Sequence, residues 1–249
     1  MGLGTTLAAT AAPLEQFTIE RLVPLHIGSV DISYTNSAML MTIAVALATW
    51  LLVGATARRA LVPGRLQSIA ELLYEFVLGM VRENIGAEGQ AYFPLVFSIF
   101  IFILFGNLLG LIPYSFTFTG QIVVTFALAV FVFVFCTLLG LILHGFRFFT
   151  FFFPPGAPIL MAPLLVPIEI ISYLTRPVSL SLRLFANMLA GHTMLAVFAG
   201  FTVALGFLGF LPISFNVFLI AIEVVINILQ AYVFAILTCL YLSDAIHLH

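Results

Sequence analysis

The sequence predicts an all-α integral membrane protein: three upright transmembrane helices, one amphipathic surface helix and a long, steeply inclined helical hairpin at the C-terminus. Of the 249 residues, 63% are hydrophobic and 7% are charged, whereas a soluble domain carries about 25% charged residues. The apolar runs are long enough for helices and do not alternate as the strands of a membrane barrel would. A single membrane domain over residues 1–249, in contact with the lipid bilayer, is therefore expected.

The elements are predicted in order along the chain. Residues 1–35 are too polar to span a membrane. The first twelve of them include no basic residue, which argues against a secretory signal. Three apolar segments have the length that a bilayer requires, and two longer ones follow. The spans are 38–57, 92–113 and 121–144, and the hairpin helices are 163–208 and 213–246.

Residues 65–86 differ in kind from the spans. Apolar residues from Leu66 to Met80 recur at helical spacing, and Glu71, Glu75 and Arg82 lie on the opposite face. This pattern predicts an amphipathic helix, placed either on the membrane surface or against partner subunits.

Arginines set the predicted orientation. On one side of the first three spans lie Arg58, Arg59, Arg65, Arg82 and Arg147, and on the other lies Arg21. The positive-inside rule then places the N-terminus outside and the surface helix inside.

The last third contains two apolar segments of excess length. A helix of about 30 residues is about 45 Å long, against about 30 Å of hydrocarbon. Tilting relieves such a mismatch, so an inclined hairpin is favoured over two upright helices with protruding ends.

One face of the first hairpin helix is polar. At 100° per residue, its polar side chains fall within about 40° of one line, which Pro177 is expected to bend without abolishing. They are Glu169, Ser172, Arg176, Ser179, Arg183 and Asn187. Arg183 stays charged at any accessible pH, and an arginine in hydrocarbon costs at least about 2.5 kcal/mol. Such a face must meet protein or a hydrated cleft. An arginine that reaches the interface, or pairs permanently with a carboxylate of its own chain, is the alternative.

The returning helix carries a second polar face. Glu223, Asn227 and Gln230 are spaced by four and three residues, and Tyr241 and Asp244 continue the same face. If the two helices pack antiparallel, His192 and Glu223 are expected to be neighbours, and Gln230 is expected near Arg183.

A fixed cation between titratable groups indicates proton movement, because carboxyl and imidazole groups exchange protons near neutral pH when burial and neighbours shift them. Arg183 would then separate two half-paths. One half-path is predicted to use His192, Glu223 and Asn107. The other is predicted to use Glu169, Tyr173, Asp244 and His247.

Two motifs resemble subunit a of F-type ATP synthases, and the pairing of His192 with Glu223 resembles the mitochondrial and alphaproteobacterial branch of that family. The motifs are Ser181-Leu182-Arg183-Leu184-Phe185-Ala186-Asn187-Met188 with Gly191-His192, and Gln230-Ala231-Tyr232-Val233-Phe234. The resemblance implies a stator subunit in which Arg183 engages the carboxylates of a rotating c-ring, flanked by Asn187 and Gln230. It further implies His192 and Glu223 on the proton-uptake path, Glu169 on the exit path, and residues 65–86 against the peripheral stalk and other membrane-sector subunits.

Other functions fit the sequence less well. A secondary transporter usually shows paired internal repeats, and the arginine motif has no second copy. A haem-binding subunit similar to cytochrome b would depend on His144 and His192 as its intramembrane histidines. No phosphate-binding glycine loop is present, so no catalytic chemistry, nucleic-acid partner or cofactor is expected in this chain.

Cys136 and Cys239 lie in apolar runs and are interpreted as small core residues. The family branch favours the mitochondrial inner membrane, with the bacterial inner membrane as the alternative.

Overall fold

The computed structural model describes residues 18–24, 26–27, 30–31, 33–57, 63–112, 116–146, 148 and 161–247. Within these ranges it contains six α-helices: α1 (Asn36–Ala57), α2 (Arg65–Ile85), α3 (Phe93–Gly110), α4 (Ile122–His144), α5 (Ala162–Ala204) and α6 (Phe210–Ile246). A 3₁₀ segment, Ala87–Tyr92, precedes α3. In the same ranges, five helical stretches, all but α2, are long and apolar enough to cross a membrane. The predicted all-α membrane class is confirmed.

The polar segment before α1 contains short strands that sequence patterning did not predict. Strands β1 (Arg21–Val23) and β4 (Tyr34–Thr35) pair antiparallel, and so do β2 (His26–Ile27) and β3 (Val30–Asp31). The side chain of Asn36 ties this segment to the start of α1, because its Nδ2 donates to the Thr18 carbonyl and its Oδ1 accepts from the Glu20 amide.

Two compact units make up the chain. The first contains Met1–Val53, Ile101–Gln121 and Leu184–Ala231, and the second contains Gly54–Phe100, Ile122–Arg183 and Tyr232–His249. Each holds parts of α5 and α6.

In the first unit, α5 and α6 run antiparallel. Asn216 on α6 donates to the Leu195 carbonyl on α5, and Asn187 donates to Asn227 farther along the same pair. Their connection turns at Gly206, whose φ of 53° suits glycine. The sequence predicts a second hairpin helix from residue 213, after a turn at Leu211-Pro212, whereas α6 already begins at Phe210. A proline is tolerated in the first helical turn because its missing N–H would have no partner there.

In the second unit, the C-terminal half of α2 packs into the protein. Val77, Val81 and Ile85 are buried, while Glu71 and Glu75 are exposed, which gives the helix its two faces. The Phe76 ring contacts the rings of Phe100 and Tyr232. Farther towards its N-terminus the apolar side is exposed, including Leu66 and Ile69.

The long helices match the lengths that the hairpin prediction required. Helix α5 has 43 residues and passes through Pro177 without a break, and α6 has 37 residues. At 1.5 Å per residue both exceed the ~30 Å hydrocarbon core. Their inclination in a bilayer remains a prediction. Arg58, Arg59 and Arg147, on which the predicted orientation partly rests, lie outside the described residues.

Candidate functional site

A cluster of buried polar side chains lies in the first unit, between α3, α5 and α6. Asn107, His192, Glu223 and Asn227 all have less than 9% of their surface exposed, although the surrounding helices are almost wholly apolar. Buried polar groups normally have hydrogen-bond partners, so each unpartnered atom here calls for a physical explanation.

Three asparagines link the helices of this cluster. Asn107 Nδ2 on α3 donates to the Asn227 carbonyl at 3.2 Å, and Asn187 Nδ2 on α5 donates to Asn227 Oδ1 at 3.4 Å. The Oδ1 of Asn107 and the Nδ2 of Asn227 have no hydrogen-bond partner among the described residues. The chain of amides therefore keeps one free acceptor and one free donor at positions where water or a proton carrier could bind.

Glu223 approaches α5 at Gly191, the residue before His192, and His192 and Glu223 share no hydrogen bond, so their contact stays a prediction. His192 Nε2 is 3.1 Å from the hydroxyl of Thr117, in the short segment between α3 and α4. Both carboxyl oxygens of Glu223 lack a hydrogen-bond partner among the described residues. A carboxyl group held at this depth without a fixed partner is suited to binding and releasing a proton.

Glycine brings Glu223 against α5. A Cβ at Gly191 would overlap with Glu223 Oε1, so only glycine leaves room for the carboxyl group beside His192. The Gly191-His192 pair thus combines a close approach with a titratable ring.

A second polar cluster lies within the second unit. Arg176 on α5 pairs with Asp244 on α6, with Nη1 2.7 Å from Oδ2 and with side chains 23% and 38% exposed. The guanidinium carbon lies 5.2 Å from the ring centroid of Tyr173 and 5.3 Å from that of Tyr241. A charged hydrogen bond and two cation–π contacts hold this arginine within its own chain.

Two further contacts fix the surroundings of that pair. The Tyr173 hydroxyl is 2.8 Å from Thr137 Oγ1, which also donates to the Phe133 carbonyl. His144 Nε2 lies 3.2 Å and 3.1 Å from the carbonyls of Ala245 and Ile246. Since carbonyls only accept, that nitrogen carries the proton and caps the C-terminus of α6.

Arg183 contrasts with Arg176, which lies two helical turns before it on the same face of α5. Arg183 is exposed, and the described part of the chain offers it neither a hydrogen bond nor an ion pair. Ser172 and Ser179 of the same face are exposed as well. Among the described residues, Arg183 therefore has no permanent carboxylate partner in its own chain.

Comparisons with known proteins agree with this picture. The chain matches the family described as ATP synthase A chain over residues 38–243. It is 55% identical over 239 residues to ATP synthase subunit a of Rhodospirillum rubrum, covering 96% of this chain and 99% of that protein.

The chain belongs to the ATP synthase subunit a family.

Two further relatives carry the same description. ATP synthase subunit a of Paramagnetospirillum magneticum is 52% identical over 246 residues, covering 96% of this chain and all of that protein. That of Allorhizobium ampelinum is 52% identical over 242 residues, covering 94% and 97%. The family resemblance of the sequence motifs is confirmed, and the relatives extend it over nearly the whole chain.

Hydrogen bonds do not link the remaining residues that the sequence predicted for the site. Glu169 and Gln230 are half-buried, and within the described ranges neither has a hydrogen bond or ion pair. Their roles, like that of Arg183, stay predictions. His247 lies 3.9 Å from Glu88, a long contact between exposed side chains.

The sequence patterns did not identify Thr117 or Thr137 as site residues. Neither threonine lies on a polar face with a helical period, because Thr117 lies in the short segment between α3 and α4 and Thr137 is an isolated hydroxyl among apolar residues. Their partners are 75 and 36 positions away in sequence, so no local pattern could have identified them.

The haem alternative depended on His144 and His192 as the intramembrane histidines. His144 uses its Nε2 for two backbone carbonyls, so this nitrogen is not offered to an iron ion. No group of three or more His, Cys, Asp or Glu side chains within the described ranges could hold a metal ion.

Proposed function

We propose that this chain is the proton-translocating stator subunit in the membrane sector of an ATP synthase. In this role two half-channels lead to a rotating c-ring, and Arg183 separates them. Membership of the ATP synthase subunit a family supports the stator role. The half-channels and the contact with the c-ring are inferred from Arg183 and the two polar clusters.

The exposed guanidinium of Arg183, which has no ion pair among the described residues, is the observation that carries the proposal. Arg183 lies within α5, a helix of 43 residues that is long and apolar enough to cross the membrane. An arginine that faces lipid there costs about 2.5–3.5 kcal/mol on insertion scales and more by other measures. A carboxylate supplied by another chain removes this cost without fixing the partner in place. A ring whose carboxylates pass one after another provides such a partner repeatedly.

The two polar clusters supply the half-channels. The first uses His192 and Glu223 as the groups that exchange protons, together with Asn107 and Asn227, whose buried amide atoms without a partner among the described residues can bind water. The second is assigned to Glu169, Tyr173, Arg176, Tyr241 and Asp244. In each unit, α5 and α6 contribute to the cluster, so a proton path can follow the hairpin.

Partners and location follow from the family and the fold. The partners are the c-ring, the peripheral stalk and other membrane-sector subunits, with lipid around the apolar helices. No resident cofactor is proposed, and protons are the transported ion. The named relatives are bacterial proteins, which supports the bacterial inner membrane and gives the mitochondrial one no support.

The test replaces the fixed charge in the assembled complex. Arg183→Ala is expected to abolish ATP synthesis driven by an imposed proton gradient and ATP-driven proton pumping in vesicles. Arg183→Lys is expected to fail in coupling too, because lysine can lose its proton when desolvated and lacks the planar guanidinium. Arg65→Ala is the matched control, since it removes an exposed positive charge outside the membrane spans. Vesicles with Arg183→Ala that still made ATP would refute the proposal.

A further inference from the structure

We propose that Thr117 is a positioning residue of the proton path, whose hydroxyl holds the His192 ring in both of its protonation states. The inference rests on the proposed function, since it assigns a role within the first half-channel. It concerns a residue that the polar faces of α5 and α6 do not contain.

The geometry places one hydroxyl between a titratable ring and a helix end. Thr117 Oγ1 is 3.1 Å from His192 Nε2 and 3.4 Å from the Gly110 carbonyl. Thr117 is 2% exposed and His192 is 8% exposed. At this burial bulk water cannot readily replace a lost hydrogen bond.

Gly110 permits this approach. A Cβ there would lie 2.7 Å from Thr117 Cγ2 and 3.1 Å from Met188 Cε, closer than ordinary packing allows. Gly110 is the last residue of α3, where carbonyls lack partners within the helix. The amides of Leu111 and Ile112 bond to the two carbonyls before it, so among the described residues the Gly110 carbonyl is left to the threonine.

The hydrogen count allows two arrangements of the same atoms. When His192 Nε2 carries no proton, the Thr117 hydroxyl donates to it. When a proton from the path binds to Nε2, that N–H donates to Thr117 Oγ1, and the hydroxyl hydrogen turns to the Gly110 carbonyl. The step adds one proton to the ring and rotates one hydroxyl, and no O–H bond breaks.

The second arrangement also stabilises the charged ring. The C-terminal end of α3 carries the negative end of the helix dipole, and the bond from hydroxyl to carbonyl orients the hydroxyl oxygen towards the imidazolium. The other titratable side chain of this cluster is Glu223, which contacts Gly191 next to the histidine. Thr117 thus holds the ring through a contact that does not involve Glu223.

The test is a double-mutant cycle in the assembled complex, with Arg183 intact. Thr117→Val preserves the shape and removes the hydroxyl, and Thr117→Ser preserves the hydroxyl and removes a methyl group. Passive proton flow through the membrane sector is expected to fall about tenfold in Thr117→Val, roughly the value of one buried hydrogen bond. Thr117→Ser is expected to stay within about twofold of the unmodified complex.

His192→Ala then separates positioning from packing. In that background Thr117→Val is expected to change proton flow no further, because the ring it positions is gone. An equal loss in both backgrounds, or equal losses in Thr117→Ser and Thr117→Val, would overturn the inference. So would failure of both Thr117→Val and Thr117→Ala to assemble, which would place the hydroxyl in folding. A failure of the proposed function would appear instead in the Arg183→Ala vesicles.

Discussion

The Arg176–Asp244 pair predicts a measurable coupling between α5 and α6. Its N–O distance is 2.7 Å, and its side chains are 23% and 38% exposed. A fully exposed ion pair contributes about 0–1 kcal/mol, while removing one partner of a buried pair costs about 3–5 kcal/mol. Partial exposure places this pair between those limits. The two aromatic contacts of the guanidinium add about 0.5–1 kcal/mol each.

We therefore expect Arg176→Gln to lower the free energy of unfolding by about 2.5–4 kcal/mol, and Asp244→Asn by about 1.5–3 kcal/mol. The double variant should lose less than the sum, by a coupling energy of about 1.5–2 kcal/mol, because either change alone breaks the same pair. The measurement is denaturant-induced unfolding of the full chain in detergent micelles, at low and at high salt. Partial exposure predicts a smaller coupling at high salt.

An exposed pair of equal length provides the control. Gln67 Nε2 donates to Glu71 Oε1 at 2.7 Å on the exposed side of α2. A cycle of Gln67→Ala and Glu71→Ala should give a coupling of about 0.2–0.5 kcal/mol. If the losses in unfolding free energy from Arg176→Gln and Asp244→Asn added up within about 0.5 kcal/mol, partial burial would not strengthen the pair and the reasoning would be refuted.

Two further changes test the packing of the hairpin. Gly191→Val should displace the Glu223 carboxyl group and slow proton flow through the assembled complex by about tenfold or more, as loss of a positioned proton carrier does. Gly200→Val is its control on the same helix, since a Cβ there meets no atom within 4 Å, and equal effects of the two would contradict the steric argument. His144→Phe should leave the last carbonyls of α6 without a donor and cost about 1 kcal/mol, seen as faster amide hydrogen exchange in the last turn of α6. His144→Gln, which keeps a donor, should restore part of the protection, and unchanged exchange in both variants would argue against the cap.

The helical faces were predictable from sequence because they depend on local geometry. The 100° period places Arg176 and Arg183 on one face of α5, and the structure keeps that helix continuous through Pro177. The same period places Glu223 and Asn227 on one face of α6. Antiparallel packing then brings Glu223 to Gly191, next to the predicted neighbour His192.

The partners across helices were not predictable in the same way. Thr117 reaches His192 over 75 residues, and its segment has no charge and no helical periodicity to mark it. The strands before α1 have two or three residues each, too few to show an alternating pattern. The start of α6 was misplaced because Pro212 was interpreted as a turn, although a first helical turn accepts proline.

Two arginines on one face of α5 show what sequence alone could not distinguish. Arg176 and Arg183 are seven residues apart, so they point within about 20° of one direction and are equivalent by periodicity. In the structure Arg176 has a carboxylate and two tyrosine rings of its own chain, while Arg183 is exposed with no ion pair among the described residues. A fixed partner would neutralise Arg183 permanently and leave nothing for an incoming carboxylate to bind. Under the proposed function, the acid that stabilises Arg183 comes from another chain and is able to leave, which a structural arginine such as Arg176 does not require.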